Sequence, residues 1–126
     1  MRKNTYAILG DLAFLHDING LLIGADEKSA NLTIIVISND GGGIFSTLPQ
    51  RDVPGFEKIF GTPHGRDLVS IAESYGIPAV AVRTLDALRA QLARQKQGVN
   101  VIVAHMPDRN ENAALLQKIT DSLTLL

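Results

Sequence analysis

Residues 32–43 read Leu-Thr-Ile-Ile-Val-Ile-Ser-Asn-Asp-Gly-Gly-Gly, an apolar, β-branched run that stops abruptly at a polar, glycine-rich turn. Continuous apolar runs of this length are typical of strands that are buried on both faces of a sheet. Three further runs of the same kind occur in the chain, at 6–9, 79–82 and 99–104. The four runs predict four strands of a parallel sheet.

The segments between these strands have the spacing of helices that bury one face. Apolar residues recur three or four positions apart at 15, 18 and 22, within 68–75 and 85–92, and after the last strand at 115, 119, 123 and 126. Asp108 and Glu111 have the spacing of a capping box at the start of this last segment. The alternation predicts an α/β fold, with a parallel sheet flanked by helices on both faces.

The composition is that of one soluble globular domain. The chain has 126 residues, of which 45% are apolar and 20% charged, which is ordinary for such a domain. A formal net charge of −1 gives no electrostatic reason to expect nucleic acid as a partner. No apolar run approaches the roughly 20 residues of a membrane span. The absence of cysteine excludes disulfides and suits a reducing compartment, so we expect a cytoplasmic protein.

Residues 41–66 break the alternation of strands and helices. This segment is rich in Gly and Pro and contains one short helical candidate, at 56–60. A connection this long inside a compact domain is usually either functional or without fixed structure. It follows the carboxyl end of a predicted strand, where open α/β sheets bind their ligands. This position and its apolar side chains favour a functional segment.

Polar residues directly follow the first two strands. Gly10 and Asp11 come after the first strand, and the turn 39–43 comes after the second. If the two strands are neighbours, their carboxyl ends lie at one edge, where a carboxylate, an amide oxygen and backbone carbonyls would suit Mg²⁺. Leu12 and Ala13 open the next helix and would direct N–H groups at a phosphate. An Asp after a strand is also a common helix cap and a Gly-rich turn is common in itself, so both interpretations stay open on these residues alone.

Three stretches carry a family resemblance. They are Gly-Asp-Leu-Ala-Phe-Leu-His-Asp-Ile-Asn-Gly-Leu at 10–21, Asn-Asp-Gly-Gly-Gly-Ile-Phe-Ser at 39–46 and Phe-Gly-Thr-Pro-His-Gly at 60–65. A Gly-Asp pair followed by an Asn-containing turn resembles the motif of thiamine-diphosphate enzymes, and Asp11 and Asn39 are 28 positions apart (39 − 11). The longer stretches resemble the C-terminal cofactor-binding domain of the 2-succinyl-5-enolpyruvyl-6-hydroxy-3-cyclohexene-1-carboxylate synthase family (MenD) of menaquinone biosynthesis. The resemblance covers nearly the whole chain, most strongly residues 5–76.

The resemblance implies a metal and diphosphate site. Asp11, the Asn39 side chain and the Gly41 carbonyl would ligate Mg²⁺, and Leu12 and Ala13 would donate backbone N–H groups to the diphosphate of thiamine diphosphate. The other implied cofactor-binding residues are Gly10, Gly42, Ile44 and Phe45, the last two being apolar residues beside the thiazolium ring. Residues 60–65 resemble a segment that is ordered when ligand is bound.

The alignment within the turn has one departure from the family. Relatives usually have Asn-Asn where this chain has Ser38-Asn39, and a shift by one position would make Asp40 the metal ligand. The acid that activates the cofactor belongs in this family to a separate domain of a partner subunit, so no catalytic residue is assigned in this chain.

The relatives also extend well upstream of the Gly-Asp pair. We therefore expect residues 1–126 to be a single domain, a fragment of the C-terminal thiamine-diphosphate domain that is inactive alone and has an exposed sheet edge prone to self-association. For the complete enzyme, the resemblance implies a homodimer or homotetramer that decarboxylates 2-oxoglutarate and adds the succinyl unit to isochorismate.

Two alternatives share part of the pattern. Another thiamine-diphosphate decarboxylase or carboligase would carry the metal motif but not Ile-Phe-Ser at 44–46 or Phe-Gly-Thr-Pro-His-Gly at 60–65. A receiver-like signalling module has a similar length and alternation, but it needs an acidic pair after the first strand and a Lys after the last. This chain has a single acid, Asp11, and Ala104-His105 at those places.

Overall fold

The computed structural model describes residues 3–24, 26–28, 30–94 and 97–124. Within these ranges the strands form one fully parallel sheet in the order β1-β2-β4-β3. Their bounds are Thr5–Gly10 for β1, Leu32–Ser38 for β2, Ala79–Val82 for β3 and Val99–His105 for β4. All four predicted strands are confirmed to within one residue at either end. The two central strands, β2 and β4, are the longest of the four apolar runs, as expected for strands buried on both faces.

The described part of the chain contains four α-helices. They are α1 (Asp11–His16), α2 (Leu68–Ser74), α3 (Leu85–Leu92) and α4 (Arg109–Thr124). Short helical turns of other types span Ile18–Leu21, Gly43–Thr47, Pro49–Asp52 and Glu57–Gly61. No helix in the described ranges is long and apolar enough to cross a membrane.

The first helix is shorter than its apolar spacing predicts. Asp17 leaves the helical conformation (φ −112°, ψ 22°), and residues 18–21 continue as a 3₁₀ turn. Asn19 and Gly20 are both poor helix formers, which explains the early end. Leu22, predicted on the same helical face as Leu15, is consequently 70% exposed.

The chain divides into two compact units, one containing the sheet with α1, α2 and α3, the other containing residues 39–66 together with α4. In the first unit, apolar side chains alternate between the two faces of the sheet. Phe14 of α1 and Leu68 and Ala72 of α2 share a buried core with one face; Leu88 and Leu92 of α3 pack against the other. Helices therefore cover both faces of the sheet, which confirms the predicted fold class.

In the second unit, residues 41–66 contain a succession of short turns, of which the one at Glu57–Gly61 lies at the helical candidate predicted for 56–60. Asp108 caps α4 as predicted, because its Oδ1 accepts the Asn110 N–H at 2.8 Å; the reciprocal bond of Glu111 that completes a capping box stays a prediction. The apolar face predicted for this helix is exposed rather than buried, as Ile119 (48%) illustrates; Leu126 lies outside the described residues. The single domain predicted for the whole chain stays a prediction.

Candidate functional site

The carboxyl ends of β1 and β2 lie at the same edge of the sheet, as the sequence predicts. The two strands are parallel neighbours, and Gly10 is in register with Ile37. Asp11 follows β1 as the first residue of α1, and its side chain is buried, with only 2% of the residue exposed. A buried carboxylate requires hydrogen bonds or a cation, and the Leu12 N–H supplies one such bond, 2.8 Å from Asp11 Oδ1.

Gly10 shapes the start of α1. Its backbone is extended (φ −76°, ψ 164°), and a Cβ added here would meet no atom within 4 Å. Open space therefore lies beside the first turn of α1, where Leu12 and Ala13 follow. The Leu12 N–H is already engaged with Asp11, so its role toward a diphosphate remains a prediction.

In the second unit, the turn at residues 39–43 holds the Asn39 side chain in a defined place. A Cβ at Gly43 would overlap Asn39 Nδ2, which shows that the amide lies directly over this glycine. Gly41 has φ of +120°, a conformation that other residues rarely adopt. The turn thus depends on glycine both for its backbone shape and for the placement of the Asn39 amide.

Gly41 and Gly42 also allow a close approach between two segments of the second unit. A Cβ at Gly41 would overlap the Gly61 carbonyl oxygen, and one at Gly42 would overlap that of Phe60. The Gly42 N–H donates to the Gly61 carbonyl at 2.7 Å. The close approach that these glycines permit is therefore to residues 60–62.

Asp40 forms a second link to the same segment. Its Oδ1 accepts the His64 N–H at 3.0 Å and the Gly65 N–H at 2.8 Å, and His64 Nδ1 lies 3.7 Å from this oxygen. The Gly65 hydrogen bond does most to lower the pKa of Asp40 below its usual 3.8; burial opposes this, while the His64 N–H and the charges of His64 and Arg109 add to it. Asp40 is therefore favoured in its carboxylate form by hydrogen bonds from the backbone.

An ion pair and a cluster of aromatic rings also hold the residues around Phe60 and Gly61. Arg109 of α4 donates from Nη2 to Glu57 Oε2 at 2.5 Å, and a Cβ at Gly61 would overlap its Nη1. Phe60 packs against Phe45 and Phe56, with ring centroids 5.5 and 5.8 Å apart. Sequence analysis did not identify Arg109, since nothing in the local pattern links it to a residue 52 positions earlier.

The predicted site residues fall into two groups. Asp11 belongs to the first unit with Gly10, Leu12 and Ala13; Asn39 belongs to the second with Gly41, Gly42, Ile44 and Phe45. Ile44 is exposed and Phe45 is half-buried. Within the described ranges no three His, Asp or Glu side chains form a metal cluster, but the predicted set uses only one carboxylate. Carboxylate, amide and carbonyl oxygens fit Mg²⁺ chemically, and their convergence on one ion stays a prediction.

His105 ends β4 at the same edge of the sheet, in register with Ser38. Burial, and then the charge of Arg83, lower the pKa of His105 below its usual 6.5, while Asp67 opposes the shift. The imidazole is therefore favoured in its neutral form when the chain is folded.

Comparison with known proteins supplies a family match. Residues 1–105 match the family described as thiamine pyrophosphate enzyme, C-terminal TPP binding domain. The chain is 57% identical over 77 residues to 2-succinyl-5-enolpyruvyl-6-hydroxy-3-cyclohexene-1-carboxylate synthase of Thermobifida fusca, covering 61% of this chain and 14% of that protein. It is 44% identical over 111 residues to the synthase of the same name from Lysinibacillus sphaericus, covering 87% and 19%.

These relatives are much longer, since the match with this chain spans 14% of the first and 19% of the second. Among solved structures, benzoylformate decarboxylase from Polynucleobacter necessarius superposes with a TM-score of 0.63 at 24% sequence identity. The matched region covers 86% of this chain and 20% of that one. At this identity the likeness concerns the fold.

Proposed function

Because this chain belongs to the thiamine pyrophosphate enzyme family, as its C-terminal TPP binding domain, we propose that it binds the diphosphate of thiamine diphosphate through Mg²⁺. The observation that carries the proposal is the buried carboxylate of Asp11, placed at the carboxyl end of β1. Ligands of open α/β sheets bind at such strand ends. A carboxylate held away from water there is well suited to a divalent cation.

Each predicted residue then has a distinct task. Asp11, the Asn39 amide oxygen and the Gly41 carbonyl ligate Mg²⁺, whose remaining positions are filled by phosphate oxygens and water. The backbone around Gly10 and Gly42 allows the diphosphate to approach, and the remaining cofactor contacts come from Leu12, Ala13, Ile44 and Phe45. Bound thiamine diphosphate supplies the carbanion chemistry, whereas the chain binds and orients it.

For the whole protein we propose the activity in the names of its curated relatives. It is then a cytoplasmic transferase of menaquinone biosynthesis that decarboxylates 2-oxoglutarate and adds the succinyl unit to isochorismate. The 126 residues are its cofactor-binding part, inactive alone, and the complete enzyme is a homodimer or homotetramer. Identities of 57% and 44% to these synthases favour this activity over another thiamine-diphosphate decarboxylase or carboligase. The family match excludes the receiver-like alternative.

The proposal is tested by calorimetric titration with Mg²⁺ and either thiamine diphosphate or inorganic diphosphate. Inorganic diphosphate probes only the part of the site that this chain provides. We expect both to bind only with Mg²⁺, and Asp11→Asn to weaken binding by at least about tenfold, as loss of an interaction with a charged group implies.

Asp17→Asn is the matched control, because Asp17 is an exposed acid just after the same helix. This variant should bind like the original chain. Diphosphate binding that persists without Mg²⁺, or that is equal in Asp11→Asn and Asp17→Asn, would show that Asp11 is not a metal ligand.

A further inference from the structure

We infer that Asp40 is a positioning residue: its carboxylate holds the 60–65 segment against the turn at 39–43 and is for this reason not a metal ligand. The inference rests on the proposed function only insofar as this turn carries the metal ligands. It resolves the choice between Asn39 and Asp40 that the sequence leaves open.

The geometry of Asp40 is that of a side chain capping a neighbouring loop. A single oxygen, Oδ1, accepts two consecutive backbone N–H groups, those of His64 and Gly65. These donors lie 24 and 25 positions away, so the bonds connect two distant segments of the second unit. Asp40 reaches them from a left-handed backbone conformation, with φ of 59°. Asp and Asn adopt this conformation more readily than most residues do.

The surroundings of this carboxylate are unfavourable for a divalent cation. Two N–H dipoles point at Oδ1, and the charge of Arg109 acts on the same group. A Mg²⁺ ion bound at Oδ1 would have to displace these two hydrogen bonds. The neighbouring Asn39 instead lies over Gly43, so the two adjacent side chains serve different parts of the turn.

Backbone contacts hold the same two segments together at a second place. The Gly42 N–H donates to the Gly61 carbonyl, and the Gly41 Cα lies too close to the Gly61 and Thr62 carbonyls to carry a side chain. The 60–65 segment is therefore held near both of its ends, at Gly61 by the turn's backbone and at Gly65 by Asp40. The link through the Asp40 side chain can be removed by substituting Asp40, which leaves the glycines of the backbone link unchanged.

Asp40 lies in sequence between the two proposed ligands of the turn, Asn39 and Gly41. The hydrogen bonds of Asp40 with the His64 and Gly65 N–H groups restrain the backbone on both sides of Asp40. This backbone carries the Asn39 amide oxygen and the Gly41 carbonyl oxygen. Removal of the Asp40 carboxylate should therefore make the positions of Asn39 and Gly41 less restrained, although both proposed ligands are still present. The expected loss of metal affinity is smaller than the loss on removing Asn39 itself.

Two variants separate the carboxylate from the backbone shape. Asp40→Gly removes the acceptor but keeps the left-handed conformation accessible, and Asp40→Asn keeps an acceptor oxygen and also tolerates this conformation. Amide hydrogen exchange is measured by NMR on the cofactor-free chain. We expect the His64 and Gly65 amides to exchange about tenfold faster or more in Asp40→Gly, with most of the protection restored in Asp40→Asn.

Two controls accompany the exchange measurement. Amides of Val101–Val103 in β4 report whether the sheet is intact, and Asp52→Gly tests an exposed acid elsewhere in the second unit. The inference would be overturned if the His64 and Gly65 amides exchanged equally fast in Asp40→Gly and the original chain. It would also be overturned if they exchanged equally fast in Asp40→Asn and Asp40→Gly. Should Asp40→Gly not fold, through-bond NMR coupling between the Gly65 nitrogen and the Asp40 carboxyl carbon in the original chain decides the matter; no coupling overturns it.

Titrations with metal distinguish a failure of this inference from a failure of the proposed function. In titrations with Mg²⁺ and inorganic diphosphate, Asp40→Asn should retain binding and Asn39→Ala should lose it. Loss of binding in Asp40→Asn alone, with exchange unchanged, would identify Asp40 as the ligand and overturn the inference. If no form of the chain binds, the proposed function fails, whereas the exchange result still decides whether Asp40 holds the segment.

Discussion

Gly41 and Gly10 show how differently two glycines of one predicted motif can be constrained. Gly41 has φ of +120°, and a Cβ there would overlap the carbonyl oxygens of Gly61 and Thr62. Gly10 has an extended backbone and open space around it. The sequence assigns both to cofactor binding, but Gly41 is also needed for the fold of the second unit.

Gly41→Ala should therefore destabilise the chain by about 1–3 kcal/mol, the usual cost of a strained backbone conformation, and more if the carbonyl overlap is not relieved. Gly10→Ala is the matched control and should change the free energy of unfolding by less than about 1 kcal/mol, because Ala adopts this conformation without strain. Denaturant unfolding measures both. Equal destabilisation by the two substitutions would contradict the assigned role of Gly41.

His105 makes the free energy of unfolding depend on pH. Its folded-state pKa lies below 6.5 because of burial and the charge of Arg83, so the unfolded chain binds more protons as pH falls. The contribution of this residue is fully present above about pH 6.5 and is lost as pH falls through the folded pKa. His105→Gln should flatten the decline in the free energy of unfolding between about pH 7 and pH 5. A slope that is unchanged in this variant would contradict the assignment.

At the scale of elements, helix boundaries are decided by a few polar contacts. Asp67 caps α2: its Oδ1 accepts the Val69 and Ser70 N–H groups at 3.1 and 3.2 Å, and its Oδ2 accepts the Ser70 hydroxyl at 2.6 Å. Thr84 caps α3 with a single bond to the Ala87 N–H at 3.2 Å. The N-cap of α1 is Gly10, which has no side chain to supply such a bond, and α1 is also the helix that ends earlier than predicted.

Asp67→Ala should fray α2 and lower the melting temperature by a few degrees, whereas Asp86→Ala, at an exposed acid inside the first turn of α3, should have little effect. Thermal unfolding followed by circular dichroism compares them. The Ser70 hydroxyl and the capped N–H groups lower the pKa of Asp67 below 3.8. Its contribution is therefore fully present above about pH 3.8 and is lost as pH falls through the lower folded-state pKa. Equal melting temperatures for the two variants at neutral pH would count against the cap.

At the scale of the whole molecule, the predicted thiamine-diphosphate-binding fold is confirmed by the family match and the structural similarity. The strand order places β1 at one end of the described sheet. Its Tyr6 and Ile8 side chains are exposed, at 52% and 70%. An exposed apolar edge strand is a surface at which chains associate.

Ile8→Lys should reduce concentration-dependent self-association of the chain without lowering its stability, since a charged residue on an edge strand opposes strand pairing. Analytical ultracentrifugation over a range of concentrations measures the effect. Ile119→Lys, on the exposed face of α4, is the control for general loss of apolar surface. If Ile119→Lys abolishes association and Ile8→Lys does not, the interface lies on α4 instead.

The strands, the fold class and the positions of Asp11 and Asn39 directly after the first two strands follow from the sequence alone. These features depend on local apolar runs and on the general behaviour of parallel sheets, so they can be recognised without coordinates. The roles proposed for Asp11, Asn39 and Gly41 as ligands come from the family motif and stay predictions.

The contacts of the glycine turn, in contrast, are visible only in the folded chain. The Gly65 N–H donates to Asp40, 25 positions away, and Arg109 donates to Glu57, 52 positions away. No spacing in the sequence predicts such partners. The same holds for Gly41 and Gly42, whose lack of a side chain is explained by the carbonyls of residues 60–62. Periodicity reports which face of an element is apolar; which distant segment packs against a turn depends on steric fit and on polar groups that are paired only when the chain is folded.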